Sequence, residues 1–201
     1  MLGLALQNRL QIKSTHLPDT FYYVDLDGDD DEISLPISYN SYLVNDQDFS
    51  ASAWIKTASD AGSIFGAGHI SLGGVFRWNV YANNKHYFYW KEGSTTHTLA
   101  SSSALTPNVW THVGFTHDQS NNEVKLYING SLDSTHSATL TGAVYDNAAS
   151  IGAIAEGAGN IEMEGGIANF ALFNDILTAG EMANLNSNID YNAASLSNCI
   201  G

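Results

Sequence analysis

Apolar and polar residues alternate along the middle of the chain, which is the pattern of a β-strand with one buried face. The alternation predicts one strand over residues 109–117 and a second over residues 124–128. Their apolar positions are Val109, Val113, Phe115, Val124, Leu126 and Ile128. A polar loop joins the strands, and Asn129-Gly130 follows the second. Because a type I′ turn needs positive φ at both central residues, Asn-Gly favours a tight turn, and the pattern predicts two antiparallel hairpins in series.

Another hairpin is predicted from residues 75–81 and 86–91. One face of its first strand carries Phe76, Trp78 and Val80, and the other face carries Arg77, Asn79 and Tyr81. A slip of one residue would exchange the two faces of the second strand, because side chains alternate with a period of two. We expect Phe88 and Trp90 to point inward, since they are the more apolar pair when compared with Tyr87 and Tyr89.

Three further segments complete the predicted secondary structure. Residues 49–57 predict a central strand whose small apolar residues allow two sheets to pack closely. Residues 161–173 predict a long final strand. Thr178 and Glu181 have the spacing of a capping box, which would begin a short helix near the C-terminus. The chain is therefore predicted to be all-β with one short helix.

Charge narrows the range of partners. The chain has 7 Lys and Arg against 21 Asp and Glu, a formal charge of −14. So acidic a surface repels nucleic-acid phosphates and anionic lipids, and we expect no nucleic-acid or membrane partner. Cys199 is the only cysteine, so no internal disulfide is expected. The first residues lack the basic and apolar regions of a signal peptide, which predicts a soluble protein without one.

The order of four motifs indicates a fold. They are Asp27-Gly28 with Asp30-Asp31, residues 49–56, residues 109–132 and residues 166–178. In this order they resemble the laminin-G-like domains of the concanavalin A-like superfamily, which includes pentraxins and many lectin modules. The resemblance implies a two-sheet antiparallel jelly-roll sandwich over residues 20–186. Residues 1–19 would then be an N-terminal arm, and residues 187–201 a C-terminal tail.

The densest charge, over residues 25–32, suggests a cation site. Crowded carboxylates repel one another unless a cation lies among them, and Ca²⁺ prefers such oxygen ligands. Asp27, Asp29 and Asp31 share one parity and are the predicted ligands of a possible calcium ion. An EF-hand is excluded because its glycine and glutamate positions are not matched. The alternative is a solvated turn, in which Asp and Gly are favoured without a metal.

Evidence for catalysis is weak. Glu162 and Glu164 would point the same way on a strand, and a retaining glycosidase needs two carboxyl groups about 5 Å apart across the scissile bond. However, laminarinase-like relatives carry a longer Glu-x-Asp-x-x-Glu signature, whose central Asp and final Glu are missing here. His112 occupies a place where laminin-G-like domains commonly carry a structural His. No catalytic residues are assigned, and we expect no enzyme activity.

Aromatic and polar residues on the 75–91 hairpin are candidates for ligand binding. Sugars stack their C–H faces on aromatic rings, while Asn and Arg side chains bond the hydroxyl groups. A glycan-binding face would be formed by Arg77, Asn79, Tyr81, Tyr87 and Tyr89. The alternative is that these tyrosines pair across strands for stability alone.

Two functional hypotheses follow. A single acidic, disulfide-free module resembles the laminin-G-like proteins of tailed-phage virions, which decorate capsids or form parts of fibres. The first hypothesis is therefore a non-catalytic virion structural or decoration protein, whose arm and tail attach it to other virion proteins or to copies of itself. The second is a carbohydrate-binding, lectin-like module that acts in glycan or host recognition.

Overall fold

The computed structural model describes residues 23–35, 47–58, 62–69, 74–140, 149–154, 161–187 and 199–200. The predicted N-terminal arm and most of the predicted tail lie outside these residues. The elements are β1 (Val24–Asp27), β2 (Ile33–Ser34), β3 (Phe49–Thr57), β4 (Ser63–His69), β5 (Gly74–Val80), β6 (His86–Glu92), β7 (Thr95–Ala100), β8 (Thr111–Asp118), β9 (Glu123–Ile128), β10 (Ser131–Ser137), β11 (Ser150–Ile151), β12 (Glu164–Phe173), α1 (Ala179–Ser187) and β13 (Cys199–Ile200).

The described strands form two antiparallel sheets, which confirms the predicted sandwich. One is seven-stranded with the order β1-β12-β3-β8-β9-β10, and β13 also pairs with β12. The other is six-stranded with the order β2-β11-β4-β5-β6-β7. Among the described residues, no helix has the length and hydropathy that crossing a membrane requires.

Aromatic side chains from both sheets fill the space between them. Phe49 on β3 lies 5.9 Å from Phe76 on β5 and 5.7 Å from Phe115 on β8, measured between ring centroids. Both contacts are edge-to-face, the arrangement that aromatic quadrupoles favour. Phe76 also lies 5.1 Å from Phe88 on β6. All four rings are fully buried, so they form a shared core.

The two predicted hairpins are present, with one difference at the first strand. β9 pairs with β8 and with β10, and Asn129 and Gly130 both have positive φ at the second turn. β8, however, begins at Thr111, and Val109 precedes it with 50% of its surface exposed. Asn108 has a φ of 61°, so the chain turns just before Val109 and removes it from the buried face.

The register of the other hairpin agrees with the expectation. Phe88 lies opposite Trp78, and Trp90 lies opposite Phe76. Residues directly opposite each other in an antiparallel pair point to the same face, so Phe88 and Trp90 point into the core, where both are fully buried. Tyr87, Tyr89 and Lys91, which alternate with them, therefore face away from the core.

The short strands near the two ends of the described chain belong to different sheets. β2 follows β1 in the chain but pairs with β11 in the opposite sheet. The last residues of the predicted tail form β13, which pairs with β12 at Phe173↔Cys199. Part of the tail therefore belongs to the seven-stranded sheet.

The predicted helix covers the outer face of the seven-stranded sheet. Its capping box is formed: Thr178 N–H donates to Glu181 Oε2 at 2.7 Å, and Glu181 N–H donates to Thr178 Oγ1 at 3.2 Å. Met182 is buried, and a Cβ placed on Gly114 of β8 would lie 2.6 Å from its sulfur. The missing side chain of Gly114 therefore makes room for the helix.

Buried histidines make the fold sensitive to acid. Burial lowers the pKa of His86 and of His112 to about 4, and nearby Asp133 only partly offsets this for His86. Because unfolded histidines titrate near 6.5, the unfolded chain binds more protons than the folded chain between the two pKa values. The free energy of unfolding should therefore be greatest above pH 6.5 and fall as the pH drops towards 4.

We expect this loss to amount to about 1.4 kcal/mol per pH unit for each histidine. His112→Phe keeps a ring beside Trp54, whose ring lies 5.6 Å away, and removes one titrating group. The free energy of unfolding, measured in urea between pH 7 and pH 4, should therefore fall less steeply with decreasing pH in this variant than in the wild type. The difference in slope should be about 1.4 kcal/mol per pH unit. If the variant and the wild type show the same slope, the lowered pKa of His112 does not contribute to the loss of stability in acid.

Gly165 on β12 is expected to tolerate no side chain. Its φ is +135°, and a Cβ there would lie 2.0 Å from the carbonyl oxygen of Lys56. Gly93 also has positive φ, at +50°, but a Cβ there meets nothing within 4 Å. Measured by chemical denaturation, Gly165→Ala should lower the free energy of unfolding by about 3 kcal/mol or more, and Gly93→Ala should lower it by about 1 kcal/mol. Equal losses of unfolding free energy in the two variants would show that the close approach of the Lys56 carbonyl does not determine the effect of a side chain at Gly165.

Candidate functional site

The five residues predicted to bind a ligand lie on one face of the six-stranded sheet, away from the core. Asn79 of β5 lies opposite Tyr87 of β6, and Arg77 lies opposite Tyr89. Tyr81 follows β5 with the same parity as Arg77 and Asn79. The alternation of the hairpin therefore brings all five residues together once Phe88 and Trp90 occupy the core.

Direct contacts join four of these residues. The guanidinium carbon of Arg77 lies 4.0 Å from the centroid of the Tyr89 ring, and Arg77 Nη2 donates to Tyr81 Oη at 3.3 Å. The rings of Tyr81 and Tyr87 meet edge-to-face at 4.7 Å. Asn83, in the turn between the strands, donates from Nδ2 to Tyr87 Oη at 2.6 Å. Both rings are thus held in fixed positions.

Burial separates the five residues into two groups. Arg77 and Tyr89 are only 5% and 8% exposed, and Asn79 is fully buried. Tyr81 and Tyr87 are half-buried, so part of each ring is accessible. A ligand arriving from solvent would therefore meet the two tyrosines first. Arg77 lies beside them and donates to Tyr81, and Tyr89 packs against the Arg77 guanidinium.

A neighbouring segment covers another part of the same face. Ile154 packs with Val75 and Tyr89 in a small apolar cluster. It lies so close to β4 that a Cβ on Gly66 would be 2.8 Å from Ile154 Cδ1. The backbone bond from Ile161 N–H to the Ile154 carbonyl, at 3.1 Å, holds the segment in place. The exposed tyrosine pair adjoins this covered region.

Ser63 is a neighbour of the cluster that sequence reasoning missed. It lies directly opposite Asn79 on β4. The pairing of β4 with β5 shifts register between Ser63 and Phe65, so an extra residue, Ile64, interrupts the alternation. At such a bulge the regular alternation of inward and outward side chains is broken, so the sequence pattern does not identify the outward residues of β4. Knowledge of the pairing was needed to place Ser63 beside Asn79.

The acidic turn brings three carboxylates together, in a set different from the predicted one. Ligand oxygens of Asp27, Asp30 and Asp31 lie within 4.8 Å of one another, whereas Asp29 is outside this group. Gly28, with a φ of 81°, forms the turn, and Asp29 N–H donates to Asp27 Oδ1 at 3.1 Å. Because the chain turns at Gly28, alternation no longer applies to the residues after it, and Asp30 takes the place expected for Asp29. Three carboxylates offer hard oxygen ligands, but calcium binding stays a prediction.

Two of the other candidate groups lie apart from the tyrosine cluster. Glu164 begins β12 and is exposed, and it lies opposite Asp27 of β1. His112 is 1% exposed on β8, in the seven-stranded sheet, and its ring packs against Trp54 at 5.6 Å. Glu162 precedes β12, and a Cβ on Gly62 would lie 1.8 Å from its carbonyl oxygen. Its backbone therefore lies next to Ser63, at the start of β4 in the six-stranded sheet.

Several solved structures share the fold. The CBM40 domain of the Ruminococcus gnavus IT-sialidase has a TM-score of 0.67 at 16% identity, over 82% of this chain and 96% of that chain. Domain 4 of AbnA, a GH43 extracellular arabinanase from Geobacillus stearothermophilus, was solved with arabinotriose. It has a TM-score of 0.61 at 19% identity, over 83% of this chain and 81% of that chain. A SAP-like pentraxin from Limulus polyphemus has a TM-score of 0.54 at 14% identity, over 70% of each chain.

At these identities the structural likeness shows the fold alone. No curated protein sequence matches the chain significantly. A sequence family, Laminin_G_3, described as the concanavalin A-like lectin/glucanases superfamily, matches residues 27–183. That match spans most of the chain and includes β2 to β12 and the start of α1. The chain therefore belongs to the Laminin_G_3 family of the concanavalin A-like lectin/glucanases superfamily.

Proposed function

We propose that this protein is a non-catalytic glycan-binding module. The observation that carries the proposal is the half-exposed pair of Tyr81 and Tyr87, with ring centroids 4.7 Å apart, held by Arg77 and Asn83. Aromatic rings held in fixed positions offer apolar faces for stacking at a low entropic cost, because little side-chain freedom remains to be lost. The hydroxyl groups beside them can bond a sugar at the same time.

The comparisons support the same class of function. The Ruminococcus gnavus CBM40 domain has also been solved with α2,3-sialyllactose, and the arabinanase domain with arabinotriose. In these proteins the similar domain is one part of an enzyme. This favours a binding role for the fold, with catalysis placed elsewhere. Glu164 and Asp27 lie opposite each other in the seven-stranded sheet, away from the tyrosine face, which also favours binding without catalysis.

The virion role stays a prediction from the sequence. It depends on residues 1–19 and on the tail, most of which lies outside the described residues. No specific contact of the described residues favours it over glycan binding.

Single alanine substitutions on the tyrosine face should weaken glycan binding. Loss of one stacking ring removes about 1 kcal/mol, so Tyr81→Ala and Tyr87→Ala should each raise the Kd roughly 5- to 10-fold. The measurement is a screen of neutral and sialylated oligosaccharides with the wild-type protein, followed by calorimetry with the best of them. Tyr87→Phe should keep most of the affinity, because it keeps the ring.

Tyr23→Ala provides a matched control. Tyr23 is also half-buried and also lies edge-to-face with an aromatic ring, that of Trp110 at 5.2 Å, but it precedes β1 of the other sheet. We expect its glycan affinity to equal that of the wild type. Equal loss of affinity in all three alanine variants, or no binding by the wild-type protein, would refute the proposed site.

Calcium binding can be tested separately at the acidic turn. If Asp27, Asp30 and Asp31 hold Ca²⁺, millimolar Ca²⁺ should raise the melting temperature of the wild-type protein, because a ligand that binds only the folded state stabilises it. Asp30→Asn should abolish the increase, whereas Asp29→Asn should leave it nearly unchanged. An equal response in the two variants would show that these carboxylates act only as a solvated turn.

A further inference from the structure

Two neighbouring polar side chains on the outer face of the six-stranded sheet are buried, and no described residue forms a hydrogen bond with either. Ser63 and Asn79 are both fully buried. Within the part of the chain that the structure describes, neither Ser63 Oγ nor the Asn79 side-chain atoms Oδ1 and Nδ2 makes a hydrogen bond. Buried polar groups are almost always bonded, because leaving one without a partner destabilises the folded state. Such a pair therefore requires an explanation.

The position of the pair connects it with the tyrosines. Ser63 and Asn79 lie opposite each other across β4 and β5, and Asn79 lies opposite Tyr87 across β5 and β6. Directly opposed residues share a face, so the three side chains form one row across the sheet. Tyr87, which is half-buried, ends the row on the accessible side. A ligand stacked on Tyr87 is thus one strand away from the amide of Asn79.

The chemistry of the pair matches a sugar hydroxyl. The Asn79 amide offers donors and an acceptor side by side, and the Ser63 hydroxyl offers both in a single group. A sugar hydroxyl also donates and accepts, so it can satisfy the two side chains together. A carboxylate only accepts and would leave Asn79 Oδ1 without a donor. The cationic group nearby, Arg77, is already engaged by the Tyr89 ring and the Tyr81 hydroxyl.

We propose that Ser63 and Asn79 form the specificity-determining part of the glycan site and bind a hydroxyl group of a neutral sugar. This inference rests on the proposed function. The hydroxyl reaches the amide when the side chains that cover Asn79 move aside, and the sugar then supplies hydrogen bonds that no described residue provides. The two side chains therefore lower the stability of the unbound protein and contribute to the affinity for the sugar.

This trade-off gives a test that a purely structural role would fail. Asn79→Val and Ser63→Ala remove the polar atoms and suit a buried strand. Each should raise the melting temperature, by about 2–4 °C for a gain of the usual size in a chain of this length. Each should also raise the Kd for the best neutral oligosaccharide at least 10-fold. Ser101→Ala is the control, because Ser101 is a buried serine whose Oγ has a partner, the Ser103 carbonyl at 2.7 Å, so its loss should lower the melting temperature.

A second measurement identifies the hydroxyl. Singly deoxygenated versions of that oligosaccharide should include one that binds the wild-type protein at least 10-fold more weakly than the parent. Asn79→Val should bind this analogue and the parent equally. Arabinotriose and α2,3-sialyllactose serve as the neutral and anionic probes, and preference for the anionic probe would overturn the proposed ligand class.

The outcomes separate this inference from the proposed function. If Tyr81→Ala and Tyr87→Ala weaken binding while Asn79→Val and Ser63→Ala do not, the module binds glycans but the pair has no part in recognition. A lower melting temperature for both Asn79→Val and Ser63→Ala would likewise overturn the inference, because it would show that the two side chains stabilise the fold. Absence of glycan binding by the wild-type protein would overturn both proposals.

Discussion

The aromatic layer between the two sheets is the constraint on which the rest of the structure depends. Phe49 and Phe115 from one sheet meet Phe76 and Phe88 from the other, with centroid distances between 5.1 and 6.2 Å where they touch. Moving any of these strands by one residue would place a ring in solvent and a polar group in the core. The layer therefore fixes the register of the sheets, and with it the residues that face outward.

The outward residues form a candidate site because each sheet is covered differently. α1 packs on the seven-stranded sheet, where Gly114 leaves room for Met182. On the six-stranded sheet Ile154 fits against Gly66 and packs with Val75 and Tyr89. The end of the sheet that carries Tyr81 and Tyr87 keeps accessible rings. Because glycine has no side chain, Gly114 and Gly66 allow a covering segment to pack closely against each sheet. The part of the six-stranded sheet that is not covered is available for binding.

Fold and specificity have separate physical origins in this family. Backbone pairing and inward apolar residues give a sandwich that chains less than 20% identical can share, as the sialidase and arabinanase domains do. The outward side chains are free of that constraint and can differ from one member to the next. The residues that recognise a ligand are therefore expected among the outward rows of this particular chain, where Ser63 and Asn79, buried and bonded by no described residue, are the least expected feature.

The alternating pattern predicted the hairpins and the two faces of β5, because burial of one face imposes a period of two on any strand. The greater apolarity of Phe88 and Trp90, compared with Tyr87 and Tyr89, indicated which residues of β6 point inward. Together these arguments placed Arg77, Asn79, Tyr81, Tyr87 and Tyr89 on one face. Only the tertiary structure decided which of them stay accessible, since that depends on segments distant in sequence, such as the one with Ile154. It alone placed Ser63 beside Asn79 and Asp30 beside Asp27, because a bulge at Ile64 and a turn at Gly28 interrupt the alternation on which the sequence argument rests.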